Sequence, residues 1–130
     1  MQASTVQPKV VVLILSYNGR HLLRECLSSY INSDYTNFKI VVIDNGSSDE
    51  TEDYVKDKFP DVQVLRLERN VGYSQGFNQG MKFATEETNA NFFLISNNDV
   101  YVDEKAISEL VKVGQQNSKI GFVTGKATNH

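Results

Sequence analysis

Two aspartates, Asp44 and Asp99, each close a short apolar run and sit in a polar cluster. Asp44 begins Asp44-Asn45-Gly46-Ser47-Ser48-Asp49, and Asp99 ends Ser96-Asn97-Asn98-Asp99. A carboxylate at the end of the second strand of a β-α-β unit is placed to accept hydrogen bonds from a ribose or a base. A carboxylate behind two amides supplies hard oxygen ligands, suited to Mg²⁺ or Mn²⁺ whose other positions are filled by phosphates and water. Such an ion neutralises a diphosphate and helps it leave. Plainer roles compete at both positions, since Asp-Asn-Gly starts turns and Asn and Asp also cap helices. A third cluster, Ser16-Tyr17-Asn18-Gly19, follows the most apolar run of the chain. A fourth stretch, Asn70-Val71-Gly72-Tyr73-Ser74-Gln75-Gly76-Phe77-Asn78-Gln79-Gly80, puts glycines where a loop leads into a helix. There a backbone can approach an anion closely, although such glycines also serve tight packing. Arg66 and Arg69 precede it and either meet phosphate or stand in water, with Arg66 expected to be solvated.

Other chemistries lack their residues. No GxGxxG follows the first apolar run and no GxxxxGK[ST] occurs, which argues against a dinucleotide fold of the NAD type and a P-loop. GxSxG is absent, and His21 has no HExxH partner. The single cysteine, Cys26, excludes an internal disulfide and a Cys-rich zinc site. Thirteen basic against sixteen acidic residues give a net charge of −3, the wrong sign for a non-specific nucleic-acid binder. The longest apolar run, Val10 to Leu15, is far short of the ~20 residues that span a bilayer. The expected location is therefore the cytoplasm, at the inner face of a membrane where further segments supply an anchor.

The elements that must position these clusters alternate in type. With 130 residues, 40% of them hydrophobic and two of them proline, the chain suits one domain, residues 1–130. Val10 to Leu15 is β-branched and unalternated, as a strand covered on both faces should be. Leu22, Leu23, Cys26, Leu27, Tyr30 and Ile31 recur at helical spacing and predict a helix from about 19 to 32. Lys39 to Ile43 reads as a second buried strand. Ser47 with Glu50 has the form of a capping box for a helix that ends near Phe59, before Pro60. Val62, Val64 and Leu67 suggest a more exposed third strand, and a helix follows from Ser74 to about Glu87 with Phe77, Met81 and Ala84 inward. Phe92 to Ile95 is the fourth strand, and Asp103 is expected to cap a helix from about Glu104 to Val113. Ile120 to Thr124 is a last strand candidate. Strand–helix alternation at this spacing implies right-handed crossovers and a mostly parallel α/β sheet, with the polar clusters along one edge. Ligands bind beyond the carboxyl ends of such strands, where strand order reverses.

In this order and spacing, VVVLILSYNG, LLRECLSSYINSDYTNFKIVVIDNGSSDET, RNVGYSQGFNQGM and FFLISNNDV resemble the N-terminal half of family-2 glycosyltransferases. The likeness runs from Val10 to about Gly125, and the third segment is most similar to a branch with rhamnosyltransferase-like members. The resemblance implies a Rossmann-like sheet of the GT-A type, truncated here, with helices on both faces. It implies nucleotide-sugar contacts at Ser16, Tyr17, Asn18, Asp44, Asn45, Arg69, Asn70, Gly72, Asn78, Asn97 and Asn98, and a divalent cation, Mg²⁺ or Mn²⁺, on Asp99. The family's DxD motif reads Asn97-Asn98-Asp99, so an uncharged amide replaces the first aspartate and metal affinity without nucleotide should be poor. The implied reaction moves a sugar, with inversion, from a UDP-, dTDP- or GDP-linked donor to a hydroxyl of a glycan or lipid-linked acceptor, in cell-surface polysaccharide synthesis. The family's general base and acceptor site follow the DxD segment, so this chain is expected to be a donor-binding fragment, inactive alone, and no base is assigned. Two other readings stay open: a nucleotidyltransferase of similar fold, which would release pyrophosphate, and a non-catalytic nucleotide-binding module.

Overall fold

The structure, a computed structural model, describes residues 7–116. Its elements are β1 (Val10–Ser16), α1 (Arg20–Ile31), β2 (Phe38–Asp44), α2 (Thr51–Lys58), β3 (Gln63–Arg66), α3 (Tyr73–Glu87), β4 (Phe92–Asn97) and α4 (Ala106–Gln115). The strands form one parallel sheet in the order β3-β2-β1-β4. The last strand candidate, Ile120 to Thr124, lies outside the described residues.

Alternation along the two central strands explains how the sheet is covered. Val10, Val12 and Ile14 of β1, with Ile40 and Val42 of β2, meet Leu23, Cys26, Leu27 and Tyr30 of α1, Val55 of α2 and Ile107 and Val111 of α4. Val11, Leu13, Val41 and Ile43 face the other way, onto Phe77 and Ala84 of α3. Both faces of β1 and β2 are thus buried in side chains, which is why their sequences run apolar without a break. The placement of the helices follows from handedness. The path β1-β2-β3 moves one way along the sheet and leaves α1 and α2 on one face. The return from β3 to β4 reverses direction, so a right-handed crossover must put α3 on the opposite face.

Local readings differ from the structure at several points. Leu22 and Ile31 lie off the buried stripe of α1, which is formed by Leu23, Cys26, Leu27, Ser29 and Tyr30, and are exposed. The expected capping box does not form. Ser47 Oγ instead accepts from the backbone N–H of Asn18, at 2.9 Å, and α2 begins four residues later at Thr51. Asp49 serves the start of that helix instead, accepting from the Thr51 amide at 3.2 Å and from the Thr51 hydroxyl. Asp103 accepts from Lys105 N at 2.9 Å, closing a turn just ahead of α4 rather than capping the helix itself.

Candidate functional site

Register brings three polar clusters to one edge. Ser16 pairs with Asp44 and Leu15 with Asn97, so β1, β2 and β4 end side by side. Strand order reverses between β1 and β4, the place at the carboxyl ends of such a sheet where ligands characteristically bind.

On the β2 side, Asp44 is 0% exposed and both carboxylate oxygens are occupied. Oδ1 accepts from Ser47 N at 2.9 Å, and Oδ2 pairs with Arg66 Nη1 at 2.7 Å. A second arm of the same guanidinium, Nη2, donates to Ser47 O at 3.0 Å. Arg66 is therefore not simply solvated: β3 lies in register with β2, so its last residue sits opposite Asp44 and answers the buried charge. From Ser47 the network passes to β1. Asn18, in the left-handed region at φ 50°, donates its N–H to Ser47 Oγ and accepts from Ser48 N at 2.8 Å. Tyr17 stands exposed beside it.

Asn45 organises the α3 side. Buried to 2%, it accepts from Val71 N at 3.0 Å and donates to Asn70 Oδ1 at 3.0 Å and Gly72 O at 3.3 Å. Asn70 Oδ1 also accepts from Gly72 N at 2.8 Å. A side chain at Gly46 would come within 2.6 Å of the Arg69 backbone, and its φ of 79° disfavours one as well. Tyr73, the first residue of α3, reaches across and donates its hydroxyl to Asn97 Oδ1 at 2.7 Å.

At the end of β4 the three residues separate in role. Asn98 turns inward and donates to Ser16 Oγ at 3.1 Å. Asn97 is exposed and held by Tyr73. Asp99 is exposed and makes no hydrogen bond or ion pair among the described residues. Those residues contain no group of three or more His, Cys, Asp or Glu able to hold a metal. The exposed Asp99 carboxylate offers one hard oxygen donor, which suits a Mg²⁺ or Mn²⁺ that takes its remaining oxygens from phosphates and water. Arg69 is exposed on the 68–72 loop, and Asn78 is exposed on α3, outside the hydrogen-bond network.

Nearby titratable groups are set by burial and hydrogen bonding. Burial pushes the Cys26 thiol up to about 11, so it is inert core and not a nucleophile. Burial also raises the Tyr30 hydroxyl to about 12. For Asp49, burial acts upward, but hydrogen bonds from the Thr51 hydroxyl and the Arg20 and Thr51 amides prevail and hold the carboxyl below its ordinary value. Sequence reasoning put Arg66 in water and Ser47 at a helix cap and gave Tyr73 no role of its own, so it missed what each does at this edge. Arg66 had a signal, because aligning Val64 with Val42 puts it opposite Asp44. Ser47 and Tyr73 had none beyond proximity to the clusters.

A family model described as "Glycosyl transferase family 2" matches residues 11–127. The poly-beta-1,6-N-acetyl-D-glucosamine synthase of Staphylococcus epidermidis is 30% identical over 115 residues, covering 87% of this chain and 27% of that protein. The GalNAc(5)-diNAcBac-PP-undecaprenol beta-1,3-glucosyltransferase of Campylobacter jejuni is 27% identical over 105 residues, 81% of this chain and 34% of that one. Among solved structures, the mannosyltransferase PcManGT from Pyrobaculum calidifontis in complex with GDP-Man and Mn²⁺ has a TM-score of 0.74 at 22% identity, over 86% of this chain and 34% of that chain. S. aureus TarS in complex with UDP-GlcNAc has a TM-score of 0.71 at 22% identity, over 94% of this chain and 37% of that chain. The chain thus spans between 27% and 37% of the length of these four proteins.

Proposed function

The chain belongs to glycosyl transferase family 2, and on that basis we propose that it forms the donor-binding unit of an enzyme that transfers a sugar, with inversion, from a nucleotide-diphosphate sugar to an acceptor hydroxyl. The observation that carries this reading is the free, exposed carboxylate of Asp99 on the same strand-end edge as Tyr17 and Asn18. The donor's nucleoside lies against the exposed Tyr17 and Asn18, of which Asn18 is held by the 47–48 turn. The exposed Asn97 amide and Arg69 guanidinium offer hydrogen-bond donors to ribose and phosphate oxygens. Asp44, Asn45 and Asn70 support this surface through the turns they fasten.

Asp99 is the residue that would hold a Mg²⁺ or Mn²⁺, and such an ion would supply positive charge toward the negative charge of a departing diphosphate. The work of the chain's own residues is to orient the donor along the edge and to present its anomeric carbon outward, toward an acceptor. Solved neighbours carry GDP-Man or UDP-GlcNAc, which supports a nucleotide-sugar donor with a UDP, dTDP or GDP head. The Campylobacter relative is named for an undecaprenol-linked substrate, which supports a glycan or lipid-linked acceptor. No described helix is long and apolar enough to cross a membrane, and a cytoplasmic site of action is the setting we favour.

Calorimetric titration of the chain with UDP, dTDP and GDP, with and without Mn²⁺, tests the proposal. At least one nucleotide should bind at least about tenfold more tightly with Mn²⁺, and Asp99→Ala should erase that gain. Absence of binding by all three, or a gain that survives Asp99→Ala, refutes it. In the enzyme that carries this chain, release of a nucleoside diphosphate marks glycosyl transfer, and release of pyrophosphate marks nucleotidyl transfer instead.

A further inference from the structure

The Asp44–Arg66 pair joins the edge strand to the donor edge in a way that no family resemblance assigns. Arg66 lies on β3, the outermost strand, and its side chain is 41% exposed, whereas the Asp44 carboxylate is wholly buried. Its guanidinium forks, with Nη1 on Asp44 Oδ2 at 2.7 Å and Nη2 on Ser47 O at 3.0 Å. The fork spans the turn from its first residue to its fourth, while Ser47 N closes the turn from inside onto Asp44 Oδ1. Fixing Ser47 fixes its hydroxyl, which accepts from Asn18 N, and the adjacent Ser48 amide donates to Asn18 Oδ1. Asn18 is held at φ 50°, a conformation that costs a non-glycine residue and persists only when its surroundings enforce it. Those two contacts, with a third from the Ser48 hydroxyl to Asn18 Oδ1 at 3.3 Å, are the hydrogen bonds by which the 47–48 turn holds it.

We propose that Arg66 is a positioning residue for the donor: by clamping the 44–47 turn it fixes Asn18, and with Asn18 the orientation of Tyr17. The inference rests on the donor reading above for its purpose and on the geometry alone for its mechanism. It also implies that Asp44 acts here through the turn, since none of its surface is open to a ligand. A lysine at position 66 restores charge but not the fork, because an ammonium is a point charge without a planar pair of donors.

The test measures nucleotide affinity and amide hydrogen exchange on the same proteins: the unaltered chain, Arg66→Met and Arg66→Lys. In Arg66→Met, UDP, dTDP or GDP, whichever binds the unaltered chain, should bind at least tenfold more weakly. The amides of Asn18, Ser47 and Ser48 should exchange at least tenfold faster, while those of Val12 and Val41 in the central strands keep their rates. Arg66→Lys should fall between the two. Unchanged affinity in Arg66→Met overturns the proposal, and so does weaker binding with unchanged exchange, which would make Arg66 a direct contact. If no nucleotide binds the unaltered chain, the donor reading fails, and the exchange rates decide the clamp alone: faster at the three amides upholds it, unchanged refutes it. Should Arg66→Met not fold, Asp44→Asn with Arg66→Met removes the buried unpaired charge. That pair should show the same local loosening, and full protection at Asn18, Ser47 and Ser48 would count against the clamp.

Discussion

A carboxylate removed from water needs donors on both oxygens, and the chain meets that need at Asp44 while leaving Asp99 bare. The two aspartates therefore do opposite work, one holding protein together and the other offering charge to a ligand. Asp49 belongs with the first kind. Its ordinary carboxyl value of 3.8 is lowered in the fold, against the pull of burial, by the Thr51 hydroxyl and the amides of Arg20 and Thr51. A depressed carboxyl stabilises the fold above its unfolded value, and that contribution is lost as pH falls through the folded value. Asp49→Ala should thus cost about 1 kcal/mol at pH 7, the size of a lost helix cap. The gap to the unaltered chain should narrow as pH falls below the ordinary carboxyl value of 3.8 and through the lower folded value, as read by urea denaturation across that range; a gap independent of pH would rule out an ionised Asp49 as its cause. At this scale the sequence announced Asp44 and Asp99 by type and position, because carboxylates after apolar runs are conspicuous. It did not announce how they divide the work. That division depends on Arg66 lying in register with Asp44 and on Asn98 turning inward to Ser16, and both contacts join residues far apart in the chain.

Among the elements, α3 is where local preference and packing disagree most. Two glycines in its first half, Gly76 and Gly80, lower its intrinsic helicity by about 1 kcal/mol each relative to alanine. The sheet explains them. A side chain at Gly80 would meet Ile43 Cδ1 at 2.2 Å and Cγ1 at 2.9 Å, and one at Gly76 would meet Leu15 Cδ1 at 2.7 Å. The helix lies directly on β1 and β2 at these points, which brings its first turn over the strand ends and Tyr73 within reach of Asn97. Gly80→Ala improves the helix but forces the fully buried Ile43 aside, and overpacking typically costs 1–3 kcal/mol. The net effect should be destabilising by about 1 kcal/mol, measured as a lower denaturation midpoint, and an increase in stability would show that α3 floats free of the sheet. Strands and helices were readable because each carries its own period, and the central strands most of all, being buried on both faces. Helix starts were less so. Ser47 satisfies the local pattern of a cap, but its hydroxyl forms a longer-range bond with Asn18, and α2 starts later.

For the molecule as a whole, the placement of the site makes ligand binding and folding one event. The proposed donor surface is built from the ends of β1, β2 and β4, and those same strands carry both apolar clusters. The site cannot survive while the sheet opens, so any unfolding that exposes Val12 or Val41 also discards the ligand. A nucleotide held there must therefore add its whole binding energy to global stability. At a free concentration one hundred times its dissociation constant, that addition is about 2.7 kcal/mol. For a domain of this size it corresponds to a rise in Tm of about 10 °C, larger with Mn²⁺ than without when compared at equal nucleotide concentration. Exchange at the Val12 and Val41 amides should slow by about a hundredfold under the same conditions, wherever those amides exchange through global opening. A ligand lodged on a surface loop behaves differently: it quiets the loop's amides and leaves the central strands exchanging as before. Scanning calorimetry and hydrogen exchange with UDP, dTDP or GDP separate the two cases. A Tm that rises while Val12 and Val41 keep their free rates would move the nucleotide off the strand ends.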